Sequence, residues 1–479
     1  MRRAYSVEAI RHAEAELMAR LPDGALMQRA AAGLATVAAR ILRESGGVYG
    51  ARVTLLVGVG DNGGDALYAG VLLARRAVRV DAILLDPGRV HGGGLAALRD
   101  AGGRIGDLAA LERTDLIIDG LLGIGGKGAL RAPASDLAEA AAASGAPVLA
   151  VDLPSGIDAD TGQVSGTAIR AHVTVTFGAY KPGLLIDPAA ERAGVVEFVD
   201  IGLSALPPQP AVDALQVADV AALLPRPAHT TDKYGRGVVG VACGSVQYPG
   251  AGVLAVGGAL RAGCGAIRYS GPREVSADIL RRWPEILVVD ALPAEVGRVQ
   301  AWVCGSGLPA DDAYSAERTR QVIESGLPTV LDAGALNYVH ANVGTHCVLT
   351  PHAGEAARLL GVARADVETQ RLDSVRRLAD TFGATVLLKG STTLVAEPGG
   401  STVRANPTGT PALATAGSGD VLAGLIGGLL AAGLGPLDAA SVGAYLHGMA
   451  GRAAGDSGTP ISAGDLLAAI PQAWHNLQT

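Results

Sequence analysis

The chain of 479 residues has few aromatic residues, few cysteines and no run of basic residues. Aromatic residues make up 3% of the sequence, which is little for a protein that stacks on nucleic-acid bases. The formal net charge is -7, from 39 basic and 46 acidic residues, so no nucleic-acid-binding surface is expected. Cys243, Cys264, Cys304 and Cys347 form no CxxC pair. This argues against structural zinc and favours buried free thiols in a reducing, cytoplasmic compartment.

The sequence also lacks a long uninterrupted apolar segment. Residues 1–17 carry charges throughout and contain no continuous apolar stretch, so no signal peptide is predicted. The most apolar segment, 421–434, is short and interrupted by glycines. It predicts a buried helix and no membrane association.

What the sequence does have is a regular alternation of two kinds of segment. Apolar, β-branched segments alternate with alanine-rich segments, which is the pattern of an α/β protein. Proline-rich stretches at 206–210 and 225–227 interrupt the pattern and are typical of linkers. We therefore expect two α/β domains, at about 1–210 and 225–479. The predicted strands are 52–57, 80–85, 116–119, 148–151, 173–177 and 195–199, then 237–242, 287–289, 301–304, 329–331, 348–349, 386–388 and 393–396.

In the first half, polar residues cluster where predicted strands end. The strand 52–57 leads into the glycine-rich loop 58–65, where backbone amides can meet a phosphate. Asn62, Asp119 and Ser155 offer oxygen ligands for an alkali or alkaline-earth cation, and Asp152 is a candidate general base. The alternative for each Asp is a turn or helix-capping residue, but several carboxylates at one sheet edge favour a site.

Four motifs of this half are GDNGGDALYAGVLLAR, DGLLGIGGKG, VDLPSGID and TFGAYKPG. Together they resemble the N-terminal, epimerase half of the NAD(P)H-hydrate repair enzymes, over most of residues 1–205. The resemblance implies that Asn62, Asp119 and Ser155 hold a potassium ion, and that Asp152 contacts the damaged cofactor. It also implies cofactor contacts from two loops, formed by Asp61, Asn62, Gly63, Gly64 and Asp65, and by Gly123, Ile124, Gly125, Gly126, Lys127, Gly128 and Ala129.

The chemistry of that substrate class suits these residues. Hydrated NAD(P)H carries a hydroxyl on C6 of the reduced pyridine ring, and the ring nitrogen can expel it to form an iminium. Water can return to either face, so an acid–base residue such as Asp152 suffices without a redox cofactor. The sequence departs from the family pattern at Asp61, which is usually Asn, and at Ala66, which is usually Gly.

In the second half, the predicted strands again end in polar residues. Asp332, His352 and Lys389 follow three of them, and the glycine-rich loop 416–420 opens the apolar helix. Free N–H groups at a helix start favour an anion, and a carboxylate beside a nucleotide phosphate can serve as base for phosphorylating a hydroxyl. The alternatives are a turn capping a core helix at Asp420, a surface His352, a solvated Lys389 and a capping role for Glu355.

These ordered motifs are similar to the ADP- or ATP-dependent NAD(P)H-hydrate dehydratases of the ribokinase-like superfamily, over about 225–475. The resemblance implies an anion hole at 417–420, with Asp420 as base for phosphorylation of the C6 hydroxyl before phosphate leaves. It implies Mg²⁺-ADP contacts from Lys389, Gly390, Ser391, Thr392, Thr393 and Gly419, and substrate contacts from Ala251, Gly307, His352 and Asp420. Departures from the family pattern are Ser306, Pro309, Gly334 and Ser418.

The leading hypothesis is a bifunctional metabolite-repair enzyme with two three-layer α/β/α domains, Rossmann-like and ribokinase-like. Its ligands would be hydrated NAD(P)H and ADP or ATP, and we expect a homo-oligomer, tetrameric or larger. The alternatives are a kinase for a small alcohol or vitamin precursor, and a first domain that only binds while the second is active.

Overall fold

The computed structural model describes residues 1–478, and the chain divides into two compact units. The N-terminal unit is Arg3–Val212, and the C-terminal unit combines Met1–Arg2 with the chain from Asp213 onward. A short strand and a helix lie between the two proline-rich stretches, at Val212–Ala214 and Val217–Leu223. The segment predicted as a linker is therefore largely structured, because its apolar residues Val212, Ala214 and Val220 are buried.

Eighteen strands are formed by the described residues: β1 (Arg2–Ala4), β2 (Arg52–Val57), β3 (Arg79–Leu84), β4 (Arg104–Ile105), β5 (Leu116–Gly120), β6 (Val148–Val151), β7 (Val173–Phe177), β8 (Val195–Val199), β9 (Val212–Ala214), β10 (Val238–Ala242), β11 (Ala266–Ser270), β12 (Leu287–Val289), β13 (Ala301–Cys304), β14 (Thr329–Leu331), β15 (Cys347–Leu349), β16 (Thr385–Leu388), β17 (Thr393–Ala396) and β18 (Val403–Asn406).

The α-helices of the same residues are α1 (Val7–Met18), α2 (Ala25–Glu44), α3 (Asp61–Ala74), α4 (Gly92–Asp100), α5 (Ala134–Ser144), α6 (Ala190–Ala193), α7 (Val217–Leu223), α8 (Pro249–Arg261), α9 (Arg273–Arg282), α10 (Ala313–Glu324), α11 (Ala353–Leu360), α12 (Arg364–Thr369), α13 (Arg371–Phe382), α14 (Ser418–Ala431), α15 (Pro436–Ala454) and α16 (Ala463–His475). Short 3-10 helices occupy Leu108–Arg113, Pro182–Leu184, Pro293–Glu295, Ala333–Asn337, Pro411–Leu413 and Asp456–Gly458.

The N-terminal unit is built on a parallel sheet of order β4-β3-β2-β5-β6-β7-β8. Alternate residues of β2 face opposite sides, as a strand requires. Val53 and Leu55 pack into a core with α2 and α3, whereas Leu56 packs with α5 on the other face. The result is three layers, with the carboxyl ends of β2, β5 and β6 at one edge.

The C-terminal unit has an eleven-stranded sheet of order β1-β9-β18-β17-β16-β15-β14-β13-β10-β11-β12. Strands β10 to β16 pair in parallel, and β17 and β18 are antiparallel additions. Val303 of β13 packs into the core that contains α8, α14 and α15, whereas Cys304 faces Thr319 of α10. This unit too has helices on both faces of the sheet.

Helices α8 and α14 approach closely because both carry glycine at their contact. A Cβ on Gly258 would lie 2.2 Å from the Val421 carbonyl oxygen, and one on Gly424 would lie 2.0 Å from that of Ala255. Neither position has room for a side chain. Glycine at these two positions therefore allows α14 to pack closely against α8.

Two predictions from the sequence need correction. The glycine-rich segments 58–65 and 416–420 are only partly loops, since α3 begins at Asp61 and α14 at Ser418. The strands β1, β4, β9, β11 and β18 were not predicted. The predicted buried free thiols are confirmed at all four cysteines. Across residues 1–478, no helix has both the length and the apolar character needed to span a bilayer.

Candidate functional site

At the carboxyl edge of the N-terminal sheet, the structure brings Asn62, Asp119 and Ser155 together. Asp119 on β5 is fully buried and accepts bonds from the Ser155 backbone N–H (2.8 Å) and hydroxyl (2.7 Å). The Leu122 N–H donates to Ser155 Oγ (2.9 Å). From the first turn of α3, Asn62 Nδ2 donates to the Val151 carbonyl at 2.6 Å. Three separate chain segments thus converge on one polar cluster.

This cluster fits a monovalent cation. Burial raises the pKa of Asp119 to about 6, although its hydrogen bonds from Ser155 and Leu121 lower it. No ion pair to Asp119 forms among the described residues. A cation beside this carboxylate would relieve the desolvation, and the other donors are neutral oxygens. The described residues contain no group of three His, Cys, Asp or Glu side chains suited to a metal ion, so a transition-metal site is not formed there.

Asp152, the predicted base, follows β6 with a left-handed backbone (φ 67°) and is 6% exposed. Its Oδ1 accepts bonds from the Phe177 N–H (3.1 Å), the Thr176 hydroxyl (3.3 Å) and the Lys181 ammonium. Lys181 is itself buried and forms an ion pair with Asp152. The motif TFGAYKPG contains Lys181, but no role for this residue was predicted from the sequence.

The two loops predicted to contact the cofactor lie beside this cluster. Gly63 packs against the backbone of Gly58, where a Cβ would lie 2.3 Å from the carbonyl oxygen. A Cβ on Gly123 would lie 2.3 Å from Asn62 Oδ1. Gly125, Lys127, Gly128 and Ala129 are exposed, whereas Asp65, Gly63 and Gly64 are buried. The members of both predicted loops are therefore near one another, with the second loop reaching solvent.

In the C-terminal unit, strand ends β14, β15 and β16 bring together a second polar cluster. Lys389 Nζ lies 2.9 Å from Asp332 Oδ1, and Thr350 donates to the same oxygen at 2.7 Å. Ser306 donates to Asp332 Oδ2 at 2.9 Å. Glu355 Oε2 lies 3.9 Å from Lys389. Lys389 is therefore an ion-paired residue of the site and not a solvated surface charge.

Asp420 lies in the first turn of α14, beside this cluster. Burial raises the pKa of Asp420 to about 7, the negative charge of Asp332 raises it further, and Ser306 and Lys389 act in the opposite direction. The N–H groups of Gly419 and Asp420 have no backbone acceptor within residues 1–478. A carboxylate that is half ionised near neutral pH thus lies beside free helix amides, which can bind an anion.

His447 of α15 supports this turn and was not identified from the sequence. Its Nε2 lies 2.8 Å from the Ser418 carbonyl oxygen. Burial lowers the pKa of His447 to about 4, so the ring is neutral and Nε2–H donates. The buried His447 therefore fixes the backbone at the start of α14. The motif alone could not show this, because His447 lies in an otherwise apolar helix.

His352 and Glu355 lie at the start of α11, and both take part in capping that helix. His352 caps α11 through Nδ1, which accepts from Gly354 and Glu355, and its side chain is 58% exposed. The capping alternative for Glu355 is observed, since its carboxylate accepts from the His352 N–H at 2.8 Å.

Gly307 and Ala251, which are predicted substrate contacts, lie next to each other. A Cβ on Gly307 would lie 2.6 Å from the Cβ of Ala251.

The turn that carries the predicted nucleotide contacts is fixed by a buried arginine. Arg371 on α13 donates to the carbonyls of Leu388 (3.3 Å), Lys389 (3.2 Å) and Thr392 (2.9 Å). The members of this turn are Lys389, Gly390, Ser391, Thr392 and Thr393. A Cβ on Gly390 would lie 2.4 Å from the Arg371 guanidinium, so a side chain there would displace Arg371.

The departure at Gly334 has a steric explanation. Gly334 is buried in the 3-10 helix after β14, and a Cβ there would lie 2.1 Å from the Leu308 carbonyl oxygen. This backbone leaves no room for the carboxylate that the family pattern has.

Comparison with known proteins follows the same division. Residues 239–472 match the family model described as NAD(P)H-hydrate dehydratase, and residues 23–183 match the YjeF-related protein N-terminus. The bifunctional NAD(P)H-hydrate repair enzyme Nnr of Mycobacterium leprae is 48% identical over 486 residues, which covers 100% of this chain and 99% of that protein. The chain belongs to the bifunctional NAD(P)H-hydrate repair enzymes.

Two further matches share less sequence identity with this chain. The Escherichia coli K12 enzyme of the same name is 35% identical over 421 residues, covering 83% of this chain and 79% of that one. The Bacillus subtilis ADP/ATP-dependent NAD(P)H-hydrate dehydratase, co-crystallised with ATP/Mg²⁺, is 30% identical with a TM-score of 0.51. It covers 56% of this chain and 99% of its own. The predicted α/β fold class, with a ribokinase-like C-terminal half, is confirmed.

Proposed function

We propose that this chain repairs hydrated NAD(P)H in two steps. The N-terminal unit interconverts the R and S epimers at C6, and the C-terminal unit dehydrates the S epimer at the expense of ADP. The observation that carries the proposal is the Asp420–Asp332–Lys389 cluster at the start of α14, in a chain whose full length resembles repair enzymes. The three groups supply a base, a charge that raises its pKa, and a cation for phosphate.

In the dehydratase step, the N–H groups of Gly419 and Asp420 bind the phosphate that is transferred, together with Lys389. Asp420 accepts the proton of the C6 hydroxyl. The oxygen of that hydroxyl attacks the terminal phosphorus of ADP. AMP leaves. The ring nitrogen then expels phosphate, and loss of the C5 proton restores the dihydropyridine. Ala251, Gly307 and His352 are proposed to contact the dinucleotide, and the turn 389–393 the nucleotide.

Magnesium is proposed to arrive with the nucleotide. The carboxylate of Asp332 is already bonded by Lys389, Thr350 and Ser306, so it is not a free metal ligand. Protein sites of this kind often leave most Mg²⁺ contacts to phosphates and water. Because Asp332 is already bonded, the site fits an Mg²⁺ ion that is held mainly by the phosphates and by water.

In the epimerase step, Asp152 is proposed as an acid–base residue at C6. Asn62, Asp119 and Ser155 would hold K⁺, which supplies positive charge beside the buried carboxylate of Asp119. The two loops around Asp61 to Asp65 and Gly123 to Ala129 are proposed to contact the hydrated dinucleotide. The units 1–210 and 225–479 are proposed as the epimerase and dehydratase domains.

We further propose a cytoplasmic homo-oligomer, tetrameric or larger. Four buried free thiols fit a reducing compartment. Size-exclusion chromatography with light scattering tests the assembly, and a molar mass of one chain would contradict it.

The proposal is tested with ADP and the purified S epimer of hydrated NADH (S-NADHX). We expect NADH, AMP and phosphate to form in equal amounts. A stable phosphorylated product without NADH would contradict the repair function and support the kinase alternative. Consumption of ATP but not ADP would contradict the proposed donor only.

A further inference from the structure

The two oxygens of the Asp152 carboxylate have different surroundings. Oδ1 accepts three hydrogen bonds, from Phe177 N–H, the Thr176 hydroxyl and Lys181. Oδ2 accepts none within the described part of the chain. Only Oδ2 is therefore available to exchange a proton with a bound molecule.

Lys181 is held where it can act only on Asp152. It is 1% exposed, and its ammonium donates to Asp152, to Thr176 Oγ1 at 3.1 Å and to the Phe177 carbonyl at 3.2 Å. An ammonium has three N–H groups, and all three are used. Its ammonium therefore lies against Oδ1 of Asp152 and has no N–H left to donate to a substrate.

A second carboxylate lies one helical turn into α3. Asp65 is 6% exposed and has no hydrogen-bond partner between residues 1 and 478. The bond from Asn62 to the Val151 carbonyl ties this turn to the residue before Asp152. Asp65 lies near enough to Asp152 for their charges to interact, and its oxygens are uncommitted.

The charges around Asp65 favour its protonated form. Burial raises its pKa well above the ordinary value, and the negative charges of Asp152, Asp61 and Glu14 raise it further. Burial also raises the pKa of Glu14, although the positive charges of Lys181 and Arg11 lower it. Lys181 is bonded to Asp152 and not to Asp65. Of these two carboxylates, Asp152 is therefore paired with a cation and Asp65 is not.

We propose that Asp65 and Asp152 are the acid and the base of epimerisation, and that Lys181 is the positioning residue that gives Asp152 the role of base through Oδ2. This inference rests on the proposed epimerase function. Asp65 donates its proton to the C6 hydroxyl, the C6–O bond breaks, and the ring nitrogen forms the iminium as water leaves. A water molecule then adds to the opposite face of C6, and Asp152 Oδ2 accepts its proton. Exchange with solvent restores the proton to Asp65 and removes it from Asp152.

The test is the pH profile of R-to-S exchange without nucleotide, followed by chromatographic separation of the epimers, with the full-length protein. The wild type should give a bell-shaped profile, since the acid must be protonated and the base ionised. Asp65→Asn should lose about a hundredfold in rate together with the alkaline limb. Lys181→Met should move the acid limb up by about one pH unit or more.

The controls separate this role from a structural one. Lys181→Gln keeps donors toward Thr176 and Phe177 without the charge, so it should shift the acid limb as Lys181→Met does. Glu112→Gln, an exposed carboxylate of the same unit, should leave the profile unchanged. ADP-dependent dehydration of the S epimer should persist in every variant, which reports on folding.

Two results would overturn the inference while leaving the epimerase function intact: an Asp65→Asn variant with the wild-type rate and alkaline limb, or Lys181 variants that lose rate equally at every pH. Absence of exchange by the wild type would instead overturn the epimerase function, and the inference with it.

Discussion

Lys389 Nζ and Asp332 Oδ1 lie 2.9 Å apart, at the ends of two strands separated by β15 in the C-terminal sheet. Burial alone would lower the pKa of Lys389, but Asp332 and Glu355 raise it above its ordinary value. Lys389 therefore keeps its positive charge in a partly buried site. Burial and the same Asp332 raise the pKa of Asp420, so one carboxylate acts on both the phosphate-binding cation and the base.

The first prediction concerns the base. Asp420 must be ionised to accept a proton and its pKa is about 7, so kcat/KM for ADP-dependent dehydration should fall as pH decreases through 7. Asp420→Asn should abolish recovery of NADH absorbance from S-NADHX at every pH. Glu285→Gln, an exposed carboxylate of the same unit, should match the wild type. A wild-type rate in Asp420→Asn would refute the assignment.

The second prediction uses the small space at Gly419. A Cβ there would be 3.6 Å from Lys389 Nζ, an ordinary contact, so Gly419→Ala should fold. The added methyl would occupy the space next to Lys389 where phosphate is proposed to bind, and KM for ADP should rise about tenfold or more. Gly435→Ala, whose Cβ would meet no atom within 4 Å, is the matched control. An unchanged KM for ADP in Gly419→Ala would place the phosphate elsewhere.

The third prediction links potassium to pH through Asp119. Its folded pKa of about 6 is above the ordinary 3.8, so the ionised form is disfavoured in the fold. Without a cation, this group costs stability that is absent at low pH and largest above pH 6, at roughly 3 kcal/mol at most. A bound cation should offset that cost, so KCl should raise Tm more at pH 8 than at pH 5.

The comparison salt for this experiment is choline chloride at the same ionic strength. Asp119→Asn should remove the difference between the two salts, because the amide carries no charge for the cation to neutralise. Equal Tm in both salts at pH 8 for the wild type would show that K⁺ does not bind at this cluster.

The sequence predicted the strand ends that carry the site, because apolar segments followed by polar residues mark the carboxyl edge of a parallel sheet. The sequence did not predict the residues that hold these site residues in place. Lys181 contacts Asp152 across 29 residues of chain, and His447 contacts Ser418 across 29 residues. Such contacts depend on how helices pack on the sheet, which no local pattern encodes.

The starts of α3 and α14 illustrate the same limit. Glycine has low helix propensity, so glycine-rich segments predict loops. Here Gly63 lies within α3 because a side chain would meet the Gly58 carbonyl oxygen at 2.3 Å. Close packing outweighs propensity at the start of α3. Strand β11 was missed because Arg268 and Tyr269 interrupt its apolar pattern. Tyr269 is nevertheless buried, and its hydroxyl donates to the Cys243 carbonyl at 2.8 Å.

The central claim is that one chain repairs both epimers through two separate sites. It is tested most directly by following NADH recovery from a mixture of R- and S-NADHX with ADP, with ATP and without nucleotide. We predict complete recovery by the wild type with ADP, recovery limited to the S fraction by Asp152→Ala, and no recovery by Asp420→Ala or without nucleotide. Complete recovery at the wild-type rate by Asp152→Ala, or any nucleotide-independent recovery, would contradict the account.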